Sequence, residues 1–514
     1  MPYLLVTLCC LFASLGSFLF GYDSGVISSV IDQDSFKQRF HNPSDAATGG
    51  IVASYNGGAI LGSVLVSYLS DPWGRRPVLF TGGLLASFGA ALQAGAVNVA
   101  MLIAGRLVAG LAVGLMSAII PVYCSELSPP RIRGFLGSMQ QWMIGLGVVV
   151  AQWVGYGCSL RTGNFTWSFP LAFQAVPAII LSCGVWFLPE SPRWLIEKGD
   201  STAGRAVLNR LHLVPGQTNA RLVDSEFTQI CDSIAEERRL AVHSWRQLLF
   251  TQPSWRHRVL LACGMQAFTQ CSGTNVLQNY NPRLYQSLGL SQSTSLIIQG
   301  IWGALAQFWN TVFILFIDRI DRRKLLIPSL LGMGATMCVE AILGQVYGDF
   351  ASASSSSPNA VRAAIAMFFV FSLFYTSLGL ISWIYQSEIF PTAIRARGSS
   401  VATATNWSLN LIFAQCTPIA QSQIQFKYFY CFAAFNWVAA IIVWAMYPET
   451  AGKSLEEIDN IFTQDIVKSA DDVDHHRPSL LRVKGKVTLM VMSTQDSSHP
   501  SEHRVETNIA LTNQ

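Results

Sequence analysis

The sequence predicts an all-α membrane protein with twelve transmembrane helices arranged as two six-helix bundles. Three observations carry this. Of 514 residues, 51% are hydrophobic and only 12% are charged, against about 25% charged in ordinary soluble domains. The apolar residues gather into runs long enough to cross hydrocarbon, which takes about 20 residues per helix. The charged motifs between those runs occur twice, in the same order. A soluble enzyme is excluded, because too little charge remains to cover its surface. The net charge of +4, from 34 Lys+Arg against 30 Asp+Glu, is too small for a nucleic-acid partner. The 11 cysteines are scattered at no metal-ligand spacing and read as small buried apolar residues.

The runs fall at Leu4–Val30, Ile51–Leu69, Pro77–Ala94, Val99–Tyr123, Phe135–Tyr156 and Phe169–Leu188, then at Arg258–Leu284, Thr294–Ile317, Leu325–Tyr347, Arg362–Tyr385, Ser399–Ile419 and Tyr428–Tyr447. The first begins at Tyr3 with no basic stretch or small-residue cleavage site before it, so it reads as a retained helix. The expected organisation is an N-terminal bundle (1–188), a polar linker with short helices (189–257), a C-terminal bundle (258–447) and a tail (448–514). From about Thr463 that tail is rich in Ser, Asp, His and Thr and reads as disordered.

The short loops set the orientation. Arg75, Arg76, Arg131, Arg133, Arg319, Arg322, Arg323, Lys324, Arg395 and Arg397 crowd one side, while the other holds mainly Lys37, Arg39, Arg161 and Lys427. Positive charge stays inside, so both termini and the linker are expected in the cytoplasm. The sequon Asn164-Phe165-Thr166 then lies outside, where Asn164 can be glycosylated. A second sequon, Asn406-Trp407-Ser408, lies within a span and is expected to be silent.

The repeat is specific. Asp71-Pro72-Trp73-Gly74-Arg75-Arg76 after span 2 returns as Asp318-Arg319-Ile320-Asp321-Arg322-Arg323 after span 8. Ser125-Glu126 with Arg131, Arg133 and Gly134 returns as Ser387-Glu388 with Arg395, Arg397 and Gly398, and Pro189-Glu190-Ser191 returns as Pro448-Glu449-Thr450. Two bundles related by a parallel repeat place a substrate site at their interface near mid-membrane.

These residues resemble the sugar porters of the major facilitator superfamily, from about Leu4 to Ile458. The resemblance rests on Phe20-Gly21-Tyr22-Asp23-Ser24-Gly25, Gly105-Arg106, Pro189-Glu190-Ser191-Pro192-Arg193-Trp194-Leu195, Gln270-Cys271-Ser272-Gly273-Thr274-Asn275, Glu388-Ile389-Phe390-Pro391-Thr392 and Pro448-Glu449-Thr450-Ala451-Gly452-Lys453. The sequence departs from the family pattern at Pro72, Asp321, Thr269, Asn279 and the proline-free Gly379-Leu380-Ile381-Ser382 before Trp383.

A sugar hydroxyl both donates and accepts hydrogen bonds, and an uncharged amide answers it without carrying charge into the membrane. The resemblance implies sugar contacts at Gln141, Gln270, Asn275, Asn310, Trp383 and Asn406, with the Trp383 ring against the apolar face of a pyranose. The bland alternative for each polar residue is a hydrogen bond between helices, and Asn410 is read that way. Asp23 is the sole acid well inside span 1 and Arg106 the sole base inside span 4. The resemblance makes them a proton-coupling pair, with a static ion pair as the alternative. One proton crossing 100 mV supplies about 2.3 kcal/mol, and each pH unit about 1.4. Glu340, in peripheral span 9, is expected to serve at the lipid edge or in helix pairing. By the resemblance, Asp71, Arg75, Arg76, Glu126, Arg133, Asp318, Arg322, Arg323, Glu388 and Arg397 form a gating salt-bridge network. In isolation each reads as a solvated loop charge, as does His475-His476 in the tail.

The sequence thus points to a monomeric carrier in the lipid bilayer, in the plasma membrane by default, moving a monosaccharide inward with protons. No cofactor or metal is expected, and with no nucleotide-binding loop present the driving force is a gradient. A polyol, quinate-like acid or glycosylated product is the alternative cargo, and a non-transporting sugar sensor is a further alternative.

Overall fold

A chain inside hydrocarbon has only its own backbone to hydrogen-bond, so apolar runs of this length close into helices. The computed structural model describes residues 3–129, 132–212, 220–240, 253–316, 320–346, 358–391, 394–451 and 462. Among these residues there are nineteen α-helices and no strand. The first run divides at Ser14 into α1 (Leu4–Ala13) and α2 (Leu15–Val30), where the Ser14 hydroxyl donates to Cys10 O at 2.7 Å. A short α3 (Asp34–Arg39) follows. Then come α4 (Asp45–Trp73), α5 (Arg75–Ala94), α6 (Val99–Leu127) and α7 (Arg133–Ser159). Ser44 caps α4 by accepting from Ala47 N, and Asn98 caps α6 by accepting from Met101 N, which satisfies otherwise orphaned donors. The sixth run divides at Gln174 into α8 (Phe165–Phe173) and α9 (Ala175–Gly184).

The linker forms the expected short helices: α10 (Pro192–Glu197), α11 (Ser201–His212) and α12 (Ala220–Leu240). The second bundle comprises α13 (Pro253–Cys271), α14 (Thr274–Ser287), α15 (Gln292–Phe316), α16 (Arg322–Val346), α17 (Pro358–Glu388), α18 (Arg395–Ile424) and α19 (Tyr428–Met446). Among the described residues nine helical stretches are long and apolar enough to cross a membrane, and Arg397–Met446 holds both α18 and α19. The tail from Thr463, with His475-His476, lies outside the described residues, as do Arg131, Asp318 and Arg319.

The seventh run is not the single continuous helix that its sequence suggested. It breaks between α13 and α14 at Gly273, whose φ of 94° suits glycine and where a Cβ would stand 3.0 Å from the Phe432 ring. Ser272, Thr274 and Asn275 make the joint polar, so neither half reads as a full apolar span. Broken helices at the interface of two repeats are where carriers of this architecture build their sites.

Glycines set how closely the helices approach. A Cβ on Gly21 of α2 would lie 1.8 Å from Ile144 O of α7, and one on Gly147 of α7 would lie 2.2 Å from Phe18 O. On the neighbouring pair, a Cβ on Gly110 of α6 would lie 1.9 Å from Tyr55 O of α4, and one on Gly58 of α4 would lie 2.1 Å from Leu107 O. Gly58 and Gly62 face Gly110 and Gly114, a small-residue spacing that lets membrane helices touch backbone to backbone. The outer surface carries Leu61, Leu65, Phe88, Trp153, Ile179, Ile441 and Trp444, each exposed, as a lipid-facing helix requires.

Replacing Gly110 by Leu should be intolerable, because the obstacle is backbone and cannot swing aside. We expect a destabilisation of about 3 kcal/mol, seen as loss of the monodisperse peak in detergent size-exclusion chromatography. Leu61→Ala on the lipid face should leave that peak unchanged.

Candidate functional site

Close packing of α2, α4 and α6 buries two opposite charges. Arg106 Nη1 donates to Asp23 Oδ1 at 2.6 Å and to Asp23 O at 3.3 Å. Their side chains are 1% and 5% exposed. The Arg106 guanidinium also lies over the Tyr55 ring, 4.7 Å from its centroid. Trp407 reaches from α18 into the first bundle's core and meets Tyr55 edge-on at 6.3 Å and Phe20 at 5.2 Å. Removing one partner of such a buried pair strands the other charge at a cost of about 3–5 kcal/mol, so the pair can break only if a proton or a rearrangement compensates.

The amides expected to meet a sugar fall into separate groups. Asn275 Nδ2 donates to Gln270 Oε1 at 2.6 Å across the α13–α14 break. Asn406 Nδ2 donates to Gln266 Oε1 at 2.7 Å. Asn310 on α15 reaches Gln141 O on α7 at 3.5 Å, so these two residues meet across the bundles. Trp383 on α17 is half-buried. Asn410 donates nothing to a cavity: its Oδ1 accepts from Asn56 Nδ2 at 2.9 Å and ties α18 to α4. Thr269 turns its hydroxyl back onto Met265 O.

The charged motifs gather at the helix ends as two copies of one device. Arg75 grips Glu126 through Nε and Nη2 at 2.9 and 2.8 Å, while the Arg75 and Arg76 amides donate to Glu190 at 3.1 and 3.3 Å. In the second bundle Arg322 Nη2 meets Glu388 at 3.2 Å, and the Arg322 and Arg323 amides donate to Glu449, each at 2.9 Å. Glu190 and Glu449 thus sit at the positive ends of α5 and α16, where an anion is favoured. Sequence reasoning recognised their motifs as repeats but gave these two residues no role; the signal was an acid recurring with each helix start. Gly74, at φ 89°, must be glycine here, since a Cβ would press Glu190 Oε2 at 2.8 Å. Asp71 is exposed, with a contact from Ser70 Oγ at 3.4 Å. Arg397 is half-buried. The Arg133 side chain lies outside the described residues.

Arg75–Glu126 and Arg322–Glu388 each join helices of one bundle. At the opposite end the contacts join the two bundles instead. Arg283 on α14 pairs with Asp45 on α4 at 2.7 Å, Gln292 donates to Gln33 at 3.1 Å and Gln299 donates to Ser28 at 2.6 Å. The sequence gave no signal for this latch beyond lone charges at helix ends. Asn164 is exposed just before α8, and Asn406 is 5% exposed. Glu340 departs from expectation: it turns inward, 1% exposed, instead of facing the lipid edge, and neither carboxylate oxygen has a hydrogen-bond partner in the structure.

The family model described as "Sugar (and other) transporter" matches residues 9–462. The chain is 37% identical over 459 residues to the MFS-type transporter criB of Aspergillus cristatus, covering 89% of this chain and 93% of that one. It is 33% identical over 470 residues to a high-affinity glucose transporter of Kluyveromyces lactis, covering 88% and 84%. Among solved structures, the proton:xylose symporter XylE bound to 6-bromo-6-deoxy-D-glucose matches with a TM-score of 0.73 at 27% identity, over 90% of this chain and all 100% of that one. The inward-open conformation of the xylose transporter XylE from E. coli matches with a TM-score of 0.71 at 26% identity, over 89% and 99%.

Opening the Asp45–Arg283 latch should favour the alternative conformation. With side chains 34% and 33% exposed, the pair is worth about 0.2–1 kcal/mol. Asp45→Asn should therefore raise access from that end by about two- to fivefold. The check is the thiol-labelling rate of Ser28→Cys, which sits behind the latch, after exposed native cysteines are blocked.

Proposed function

The chain belongs to the sugar porter family of the major facilitator superfamily, and on that premise we propose that it imports a monosaccharide by proton symport. It is a multi-pass membrane transporter, not an enzyme. The observation that carries the symport reading is the buried Arg106–Asp23 pair, reached on one side by the Tyr55 ring and on the other by nothing that replaces a lost charge. Burial works against a lone carboxylate, and the guanidinium supports it. A state that separates the two lets Asp23 take a proton, and a state that reunites them expels it.

In this reading the basic end is cytoplasmic, the membrane is the plasma membrane, and Asn164 lies outside. The latch from Arg283 to Asp45 then closes the outer end, and the arrangement is inward-facing. Gln141, Gln270, Asn275, Asn310, Trp383 and Asn406 supply the sugar contacts. The Arg75–Glu126 and Arg322–Glu388 pairs, with Arg76, Arg323 and Arg397, hold each bundle rigid while the two rock. A non-hexose hydroxylated cargo is the second reading. It is favoured by buried Asn279 and by Thr269, whose hydroxyl is spent on its own helix.

The test is uptake of labelled glucose in a hexose-transport-null host at pH 5 and 7.5, with and without a protonophore. Wild-type uptake should rise toward pH 5 and collapse with the protonophore. Asp23→Asn, which cannot cycle a proton, should lose accumulation by at least about tenfold, since one pH unit of drive is worth about 1.4 kcal/mol. Uptake indifferent to pH, protonophore and Asp23→Asn would mean facilitated diffusion with a static ion pair. No glucose uptake from surface-localised protein would favour the non-hexose cargo.

A further inference from the structure

The amide of Asn406 is not free to choose which of its two faces it shows to a ligand. Asn406 Nδ2 donates to Gln266 Oε1 at 2.7 Å. Gln266 Nε2 donates to Gln386 Oε1 at 2.6 Å and approaches Ser382 O at 3.4 Å. Gln386 Nε2 donates in turn to Ser399 O at 3.0 Å and to Thr403 Oγ1 at 3.1 Å. Gln266, Gln386 and Asn406 are 0%, 5% and 5% exposed, so water does not compete for them.

The chain has one direction because it ends on backbone carbonyls. Ser399 O and Ser382 O can only accept, so the NH2 groups of Gln386 and Gln266 must point at them. That turns Gln386 Oε1 toward Gln266, and Gln266 Oε1 toward Asn406. Asn406 must then spend an N–H inward, which leaves its Oδ1 uncommitted in the chain. α18 holds this residue next to Trp407, which enters the first bundle, so Asn406 lies where the two bundles meet. Flipping any one amide would set two NH2 groups or two carbonyls face to face, at the cost of a buried unsatisfied group.

We infer that Gln386, acting through Gln266, is a positioning residue that fixes Asn406 as a hydrogen-bond acceptor and so selects a substrate hydroxyl acting as donor. The inference rests on the proposed sugar reading and deepens it. A hydroxyl can meet Asn406 Oδ1, whereas a fluorine at the same carbon accepts weakly and cannot donate. The second bundle therefore discriminates at one substrate position by donor capacity, and Gln386, which need not touch the sugar, sets that preference.

The test uses full-length protein in the transport-null host and a set of monofluoro glucose analogues competing with labelled glucose. In the wild type, one analogue should compete about tenfold less well than its parent, the range expected for a lost hydrogen bond. Gln386→Met frees Gln266 and Asn406 to reorient, and the ratio should fall to within about threefold. Gln386→Glu, protonated in this site, still accepts from Gln266 and donates to Ser399 O, and should keep the wild-type ratio. The ratio is independent of how much protein reaches the membrane, so a merely destabilised variant does not imitate the effect. Should Gln386→Met fail to fold, Gln266→Met breaks the chain one link nearer and is read the same way. An unchanged ratio in the Met variant, or no fluorine discrimination at any position in the wild type, would overturn the inference. Wild-type protein that neither transports nor binds any sugar would overturn the functional reading itself.

Discussion

The molecule depends on the approach of backbone to backbone at its glycines. With Gly110 against Tyr55 O and Gly58 against Leu107 O, α4 and α6 lie closer than any side chain would permit. Gly21 and Gly147 do the same for α2 and α7. Lipid tails are as apolar as the helices, so association rests on such packing and not on expulsion of water. The consequence is local and chemical. Only at this spacing does Arg106 reach both Asp23 and the Tyr55 ring while remaining sealed from solvent.

A sealed ion pair in a membrane is a poor source of stability but a good switch. Its attraction roughly offsets its desolvation, so a modest rearrangement together with a proton can move the balance. Trp407 gives the second bundle a stake in that balance, because its ring packs among residues of the first. Substrate amides and the ion pair thus share one packed neighbourhood even though no amide touches Asp23 or Arg106 in the described contacts.

The two ends of the molecule are built on different principles. At the basic end, strong bidentate and capping contacts close within each bundle, twice over, which makes each bundle a rigid body. At the opposite end the partly exposed Arg283–Asp45 pair and single amide contacts cross between bundles. Tight contacts within bodies and weaker ones between them are what alternating access requires, since the crossing contacts must break and re-form in every cycle.

Much was written plainly in the sequence. Apolar run length fixed the spans, because hydrocarbon leaves the backbone no other partner, and the doubled Gly-Arg-Arg, Ser-Glu and Pro-Glu motifs announced two similar bundles. Asp23 and Arg106 were legible as lone charges in apolar helices. The break at Gly273 was not, because a polar joint inside a long run still averages as apolar. Glu190 and Glu449 were visible as a repeat but not as caps, since capping needs the helix start to fold back near an acid distant in sequence. Glu340 was misplaced because peripheral position in sequence order says nothing about which way a helix face turns. Gln266 and Gln386 stood unnoticed, since an amide's role depends on which atoms lie within 3 Å of it. The sequence by itself determined what must be buried, because burial follows from composition along the chain. Only the tertiary structure decided which polar groups meet and in which direction each hydrogen bond points, because those partners come from helices far apart in the chain.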